Sequence, residues 1–302
     1  MSVINNLLVT PNRVVIACEF LHYLGQNGGK KSFIEKQLSP LKRAEREDGE
    51  EVTGSTIATS VINEIEKLKL ITTLGDECRI SDDFIHLTEV SFGDVLSSKL
   101  CPIMTSPDLA EPCGQSDVPD ALSWLLSQDP FALFPRSGGV HAERITQQLG
   151  AQDSLKTILS NDSRFHNLIY WARYFGFAEW ITLNSIQMVL PDPTSYLSKN
   201  LDQIFTTKDD EIPISLFVGR LAEICPIFET GLARNVLESR KKLEFQLKEH
   251  HLSKSLSLAL NRLDIRGLIE LKSSDDAEVW VLNLNYSMVT YSNIRYLGGA
   301  SK

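Results

Sequence analysis

The sequence predicts a mainly α-helical protein with small β-sheets, the α+β class, because one pattern occurs three times. Each copy has an apolar-striped helix, a turn, an apolar strand, a polar tip and a second apolar strand. The copies span residues 57–80, 165–190 and 256–282. The first helix shows helical spacing at Ile57, Val61, Ile65 and Leu68. Because this order of elements forms the second half of a winged-helix domain, the sequence predicts three tandem winged-helix domains.

The first winged-helix domain is predicted over residues 1–95. A polar residue and a proline, Thr10 and Pro11, begin a helix that ends in the glycine-rich stretch 25–29. A second helix near residues 32–38 and an exposed charged loop precede the first repeated pattern. Together these elements complete the order that a winged-helix domain requires.

Residues 96–117 are predicted to be a linker or long loop, because prolines and glycine punctuate them. These are Pro102, Pro107, Pro112 and Gly114. The second domain is predicted over residues 118–200, with its second helix at 140–149. The third is predicted over residues 201–302, with a long charged helix at 230–249 and a short tail.

The turn that joins each repeated helix to its first strand falls at Lys69, Gly176 and Gly267. Glycine suits the left-handed backbone that ends a helix, so Lys69 departs from the pattern. In the third copy, the apolar run that ends at Leu271 is predicted to pair with residues 279–282.

Composition limits the function classes. The 302 residues carry a net charge of −9 and a pI of about 5.3, so the protein cannot coat nucleic acid by bulk positive charge. Any DNA contact must come from local basic patches. Five widely spaced cysteines suit reduced thiols, and no apolar run is long enough to cross a bilayer. These features predict a cytoplasmic protein that does not associate with membranes.

Sequence motifs for catalysis, metal binding and cofactor binding do not occur. Residues 25–32 are rich in glycine and lysine but lack the spacing of a nucleotide-binding loop, and they follow a helix instead of a strand. Cys18 and His22 share a helical face, but no other ligands complete a metal site. We therefore expect a protein that is not an enzyme and needs no cofactor.

Two basic patches are the predicted DNA-binding residues, since lysine and arginine engage phosphates and guanine edges. The first-domain residues are Lys30, Lys31, Lys36, Lys42 and Arg43. The third-domain residues are Lys241, Lys242, Lys254, Arg262 and Arg266. Acidic residues at the predicted wing tips, 76–77 and 275–278, would repel phosphate. The repeated helix of the second domain is instead aromatic, so Tyr170, Trp171 and Tyr174 are predicted to bind a protein partner.

The chain begins Met1-Ser2-Val3-Ile4-Asn5 and continues Thr10-Pro11-Asn12-Arg13-Val14-Val15. This start, the overall length and the placement of the helices resemble the DpdG family. That family belongs to bacterial gene clusters that insert 7-deazaguanine derivatives in DNA and restrict unmodified DNA. The resemblance implies a role in phage defence beside helicase and nuclease subunits, and it transfers no catalytic residue.

These observations predict a non-enzymatic tandem winged-helix subunit of a bacterial DNA-modification and restriction system. It would contact duplex DNA and assemble with protein subunits. One alternative is a pure protein–protein scaffold for a helicase, a nuclease or a chromosome-organising ATPase. Another is a multi-domain transcription regulator with a small-molecule sensor.

Overall fold

The computed structural model describes most of the chain, namely residues 2–39, 44–45, 51–52, 54–87, 89–274, 277–285 and 287–298. Helices alternate with small antiparallel sheets, which confirms the predicted α+β class. Buried apolar side chains from all parts of the described chain form one continuous core. Within these residues, no helix combines the length and apolar character needed to cross a lipid bilayer.

The first unit places three helices against a three-stranded sheet. Its elements are α1 (Pro11–Leu24), β1 (Gly29–Lys30), α2 (Lys31–Leu38), β2 (Ala44–Glu45), β3 (Glu51–Val52), α3 (Gly54–Lys67), β4 (Ile71–Leu74) and β5 (Glu77–Ile80). Strand β5 lies between β1 and β4. Lys69 has a φ of 58°, so it ends α3 in the same left-handed conformation as Gly176 and Gly267 in their units.

The predicted linker at residues 96–117 is instead largely helical, and that prediction was wrong. The elements are α4 (Asp82–Ile85), α5 (Glu89–Thr105) and α6 (Pro107–Ala110). Helix α5 contains Pro102 and buries an apolar stripe at every fourth position, formed by Phe92, Leu96, Leu100 and Met104. That helical spacing outweighed the proline, because a buried stripe stabilises the helix more than one lost hydrogen bond weakens it.

The second unit repeats the order of the first. Its elements are α7 (Val118–Leu126), β6 (Phe134–Pro135), α8 (Val140–Leu149), α9 (Ser154–Ile158), α10 (Asp162–Phe175), β7 (Ala178–Leu183) and β8 (Ile186–Pro191). Strand β8 lies between β6 and β7, so the last strand is again central. Strands β7 and β8 form a hairpin with Leu183 opposite Ile186 at its tip.

The third unit has the same pairing when it is counted from the helix that follows β8. Its elements are α11 (Thr194–Ile204), β9 (Glu211–Pro213), α12 (Ile214–Ile224), α13 (Leu232–Arg240), α14 (Lys254–Ile265), β10 (Ile269–Lys272), β11 (Trp280–Asn283), β12 (Met288–Tyr291) and β13 (Asn293–Tyr296). Strand β13 lies between β9 and β10, and β11 pairs with β12 alone.

Three sequence predictions about this unit were wrong. Residues 279–282 do not pair with β10, because β10 takes β13 as its partner. The predicted long helix ends at Arg240 and is followed by a short 3-10 turn. The predicted boundary after residue 200 falls inside α11. Apolar alternation identifies a strand but does not say which neighbour it pairs with, so the pairing could not be predicted.

The N-terminal segment, residues 2–9, joins the first unit to the second. Val3, Ile4 and Val9 are fully buried. The amide of Asn167 on α10 donates to the carbonyl oxygens of Val3, Asn6 and Val9. On the other side, the Val3 N–H donates to the side chain of Gln115 at 2.8 Å. This segment therefore ties α10 to the turn that precedes α7.

Candidate nucleic-acid interface

The helix that was predicted to read DNA in the third unit, α14, is mostly buried. The buried residues are Ser255, Leu256, Ser257, Leu258, Ala259 and Leu260. The Ser255 hydroxyl donates to the carbonyl of Leu126 in the second unit, and the Ser257 hydroxyl accepts from the Asn283 N–H at 2.9 Å. The part of α14 from Ser255 to Leu260 therefore packs inside the protein and cannot enter a DNA groove, whereas its C-terminal end at Ile265 is exposed.

The basic residues of the third unit are largely paired within the protein. Lys254 pairs with Asp129, and Arg262 pairs with Asp192. Lys241, predicted to bind DNA, is only 7% exposed, so that prediction was wrong. Lys242 and Arg266 are exposed and form no ion pair with any described residue. Three of the five basic residues predicted for the third domain are therefore paired or buried, which leaves Lys242 and Arg266 as its exposed, unpaired cations among the described residues.

Lys241 belongs to a buried network centred on Glu238. The Glu238 carboxylate accepts from Arg234 Nε at 2.8 Å, from Lys241 Nζ at 3.0 Å and from the Leu247 N–H at 3.0 Å. Burial acts to raise the pKa of Glu238, but the charges of Arg234 and Lys241 outweigh it and hold that pKa below its ordinary value. Burial and the like charge of Arg234 lower the pKa of Lys241 to about 8.

This lowered pKa predicts a specific pH dependence of stability. Between pH 8 and 10.5 the native Lys241 amine is neutral, whereas the unfolded chain still binds the proton. Wild-type protein should therefore gain about 3 kcal/mol of unfolding free energy over that range relative to the Lys241→Met variant. Urea denaturation of both proteins at several pH values measures the difference. A difference that stays constant with pH would contradict a buried ammonium at this position.

In the first unit, the predicted basic residues lie beside an acidic hairpin. Lys30 is directly opposite Glu77 in the sheet, and the Lys31 N–H donates to the Asp76 carbonyl at 2.7 Å. The Lys31 ammonium donates to Asn63 of α3 at 2.8 Å. Lys36 is exposed on α2. Lys42 and Arg43 lie outside the described residues.

The second unit separates the three predicted partner-binding aromatics. Trp171 is fully buried and stacks on Phe175 with the ring centroids 5.9 Å apart, so the prediction that Trp171 binds a partner was wrong. Tyr174 is half-buried, and the Trp171 ring packs against it edge-on. Tyr170 is 37% exposed and contacts Trp180 of β7 edge-on at 5.8 Å. Of the three, Tyr170 is the residue most open to a ligand.

Around Tyr170 lies a group of four side chains, Arg136, Tyr170, Arg173 and Trp180, which we call the Arg–aromatic cluster. The Arg173 guanidinium lies 3.7 Å from the centre of the Trp180 ring. The Arg136 guanidinium lies 4.9 Å from the Trp180 ring and 5.9 Å from the Tyr170 ring. The cluster joins α10, the hairpin and the residue that follows β6.

The two arginines differ in their charge partners. Arg173 lies 3.5 Å from the carboxylate of Glu179. Arg136 forms no ion pair with any described residue. Its Nε is buried and has no hydrogen-bond partner among them, so the donors that can meet a ligand are those of its terminal nitrogens. Stacking on an aromatic ring orients a guanidinium while its edge N–H groups stay free to donate. Arg136 is therefore an oriented cation with donors available for an anion.

The backbone holds Arg136 in this position. Its N–H donates to the Gln187 carbonyl of β8 at 2.8 Å, and its carbonyl oxygen accepts from the His166 ring at 3.1 Å. Burial and the nearby Arg136 charge lower the pKa of His166, so the ring is neutral near pH 7. The following loop is fixed because Gly138 and Gly139 donate their N–H groups to Asp162. The hydrogen bond from Gly138 is the largest cause of the lowered pKa of Asp162, so the Asp162 carboxylate stays ionised.

The outer part of the hairpin beside the cluster carries no charge, and the acid in its strands is Glu179, which pairs with Arg173. Residues 180–188 contain neither acids nor bases. By contrast, the tip of the β4–β5 hairpin in the first unit carries Asp76 and Glu77. Of these two hairpin tips, only that of the second unit would not repel a phosphate backbone.

A comparison with known protein families identifies the family of this chain. The model of the DpdG-like family matches residues 1–277. The chain belongs to the DpdG-like family. This confirms the resemblance recognised at the N-terminus. Neither a curated protein nor a solved structure shows significant similarity to the chain.

The DpdG-like match covers the whole Arg–aromatic cluster and ends before β11, β12 and β13. Membership in this family is consistent with a component of a DNA-modification system. Sequence reasoning missed Arg136 and Trp180 as members of the site. Arg136 follows a two-residue strand and Trp180 lies in a strand, so no helical or motif spacing relates either of them to Tyr170.

Proposed function

We propose that this chain is a non-enzymatic DNA-interaction and assembly subunit of a bacterial DNA-modification and restriction system, built from three tandem winged-helix domains. The order of elements supports the domain assignment. In each unit a short strand before the second helix pairs with the last strand, which lies between its two partners. In the third domain the hairpin β11–β12 is inserted before that last strand.

The Arg–aromatic cluster is the observation that carries the DNA proposal. It lies where the third helix of the second domain meets the wing, and in helix-turn-helix proteins that helix enters the major groove. Arg136 and Arg173 present oriented guanidinium groups there, beside the uncharged outer part of the wing, and Arg173 is paired with Glu179 at the base. A charge-assisted hydrogen bond from arginine to phosphate contributes about 1.5–3 kcal/mol. DNA contact is therefore assigned to the middle domain, where the sequence had favoured protein contact.

The test is fluorescence anisotropy with a labelled DNA duplex of about 20 base pairs, titrated from about 50 to 200 mM salt. Arg136→Ala should weaken binding roughly 5- to 30-fold, which corresponds to about 1–2 kcal/mol, and lower the salt slope by about 1. Arg266→Ala is the matched control, because Arg266 is an exposed arginine of the third unit that lies outside the cluster. Its affinity should equal that of wild type.

The same titration separates the competing assignments. If Arg266→Ala weakens binding and Arg136→Ala does not, the contact belongs to the third domain. If wild type binds no duplex at low salt, alone or with its partner subunits, the DNA proposal fails.

A pure scaffold function would then be the better proposal, and a second surface favours it. A cleft of about 410 Å³ lies between α7, α9 and α13. Leu232 and Val236 of α13 line the cleft and are half exposed. Pro119 and Ile158 also line it. An open apolar cleft of this kind is a common docking surface for a protein partner.

A further inference from the structure

The wing of the second domain ends in two exposed apolar side chains. Leu183 is 48% exposed and Ile186 is 54% exposed, and the two residues pair directly across the hairpin. Asn184 and Ser185 between them have φ values of 48° and 65°. Two successive residues with positive φ form the tight two-residue turn that suits the twist of a hairpin. The tip is therefore short and rigid.

The apolar surface continues down one face of the wing. Ile181 pairs with Met188, two pairs below the tip pair, and side chains two positions apart lie on the same face. Ile181 is also exposed. Side chains of leucine and isoleucine exposed together at the end of a β-hairpin mark an interaction site, because nothing within the domain covers them.

We propose that the wing inserts Leu183 and Ile186 into the DNA minor groove and partly unstacks one base step. This inference rests on the proposed DNA contact. Apolar side chains act as such wedges in proteins that kink DNA. The tip lies three residues beyond Trp180, roughly 10 Å away along the strand. Trp180 and Leu183 face opposite sides of the wing, so Arg136 and Arg173 would contact the phosphate backbone from the other face, near the base, while the tip reaches the bases.

Charge favours DNA as the occupant of this surface. The wing carries no acid or base between residues 180 and 188. At its base Glu179 pairs with Arg173, and Arg136 has no carboxylate partner among the described residues. An apolar tip beside a cation fits the DNA backbone and its base stack together. A wedge should also prefer flexible pyrimidine–purine steps, since these unstack most easily.

The experiment uses the full chain and a duplex with 2-aminopurine in place of adenine at a central TA step. The fluorescence of 2-aminopurine rises when the base is unstacked, and anisotropy on the same sample confirms that binding is saturated. Wild type should raise the fluorescence. The double variant Leu183→Ser, Ile186→Ser should lose that rise and keep the salt slope of wild type. Met288→Ser, which changes an exposed methionine on the third-domain hairpin, is the matched control and should behave as wild type.

Each other outcome overturns the wedge. Saturated binding without a rise in fluorescence overturns it and leaves the DNA contact standing, whereas absence of binding at low salt overturns both proposals. A rise that persists in the double variant overturns the assignment to the tip. If the double variant loses a partner subunit from the purified complex and neither protein changes the fluorescence, the wing binds protein. Thermal denaturation and the single variant Ile186→Ser exclude a folding defect.

Discussion

Replacing Glu238 with glutamine is expected to lower the free energy of unfolding by about 3–5 kcal/mol. Arg234 is 2% exposed and Lys241 is 7% exposed, so neither cation can reach water when the carboxylate is gone. The amide of glutamine has nearly the same shape but cannot neutralise them. Lys241 would respond by releasing its proton at a lower pH than in wild type, which limits the loss. Urea denaturation at pH 7 measures the effect.

The control for this variant is Glu249→Gln. Glu249 also lies beside a basic group, with His250 at 3.4 Å, but its side chain is 90% exposed. A surface ion pair of this kind contributes little, so the control should unfold within about 1 kcal/mol of wild type. Equal stability of Glu238→Gln and wild type would show that the buried network does not stabilise the native state.

The buried network also explains why the third-domain basic patch misled sequence reasoning. The sequence prediction treated each lysine and arginine of that patch as solvent-exposed. In the structure, Arg234 and Lys241 share one carboxylate and Arg262 pairs with Asp192, a residue 70 positions away. The Glu238 pairs have local i,i+4 and i,i+3 spacing, but the burial of that network and the pairing of Arg262 with Asp192 depend on how the units pack, and no local pattern in the sequence encodes them.

Local patterns did identify much of the fold. The apolar stripes of α3, α10 and α14 and the strands that follow them lie where helical and strand spacing predicts them. Lys69 shows that the turn geometry persists without glycine. The stripe in α5 was overlooked because its proline dominated the interpretation. The partner of β10 was assigned wrongly because a closer apolar run, β11, was available in the sequence.

The candidate site was less predictable than the fold. Tyr170 could be recognised from the sequence as an aromatic residue on the polar face of one of the repeated helices. Trp171, its neighbour in sequence, points into the core, because adjacent residues of an α-helix point in different directions. Arg136 gains its role only from contact with Trp180 across the sheet. A cation–π contact between residues of separate elements produces no regular spacing that could be recognised in the sequence.

The second large effect is expected from Asn167→Asp, which should lower the free energy of unfolding by about 3 kcal/mol or more. The Asn167 amide donates to three carbonyl oxygens of the N-terminal segment. Aspartate places a carboxylate oxygen against those same oxygens in a buried position, so hydrogen bonds become repulsions. Protonation of the new carboxyl would restore one donor, and the difference from wild type should therefore shrink as the pH falls.

Asn235→Asp is the matched control for this effect. Asn235 also donates to a carbonyl oxygen, that of Thr230 at 2.8 Å, but the bond is exposed and water can replace it. Chemical denaturation should place the control within about 1 kcal/mol of wild type. Equal losses in the two variants would contradict a structural role for the N-terminal segment. A loss confined to Asn167→Asp would show that the N-terminal segment, residues 2–9, holds the first and second units together through α10.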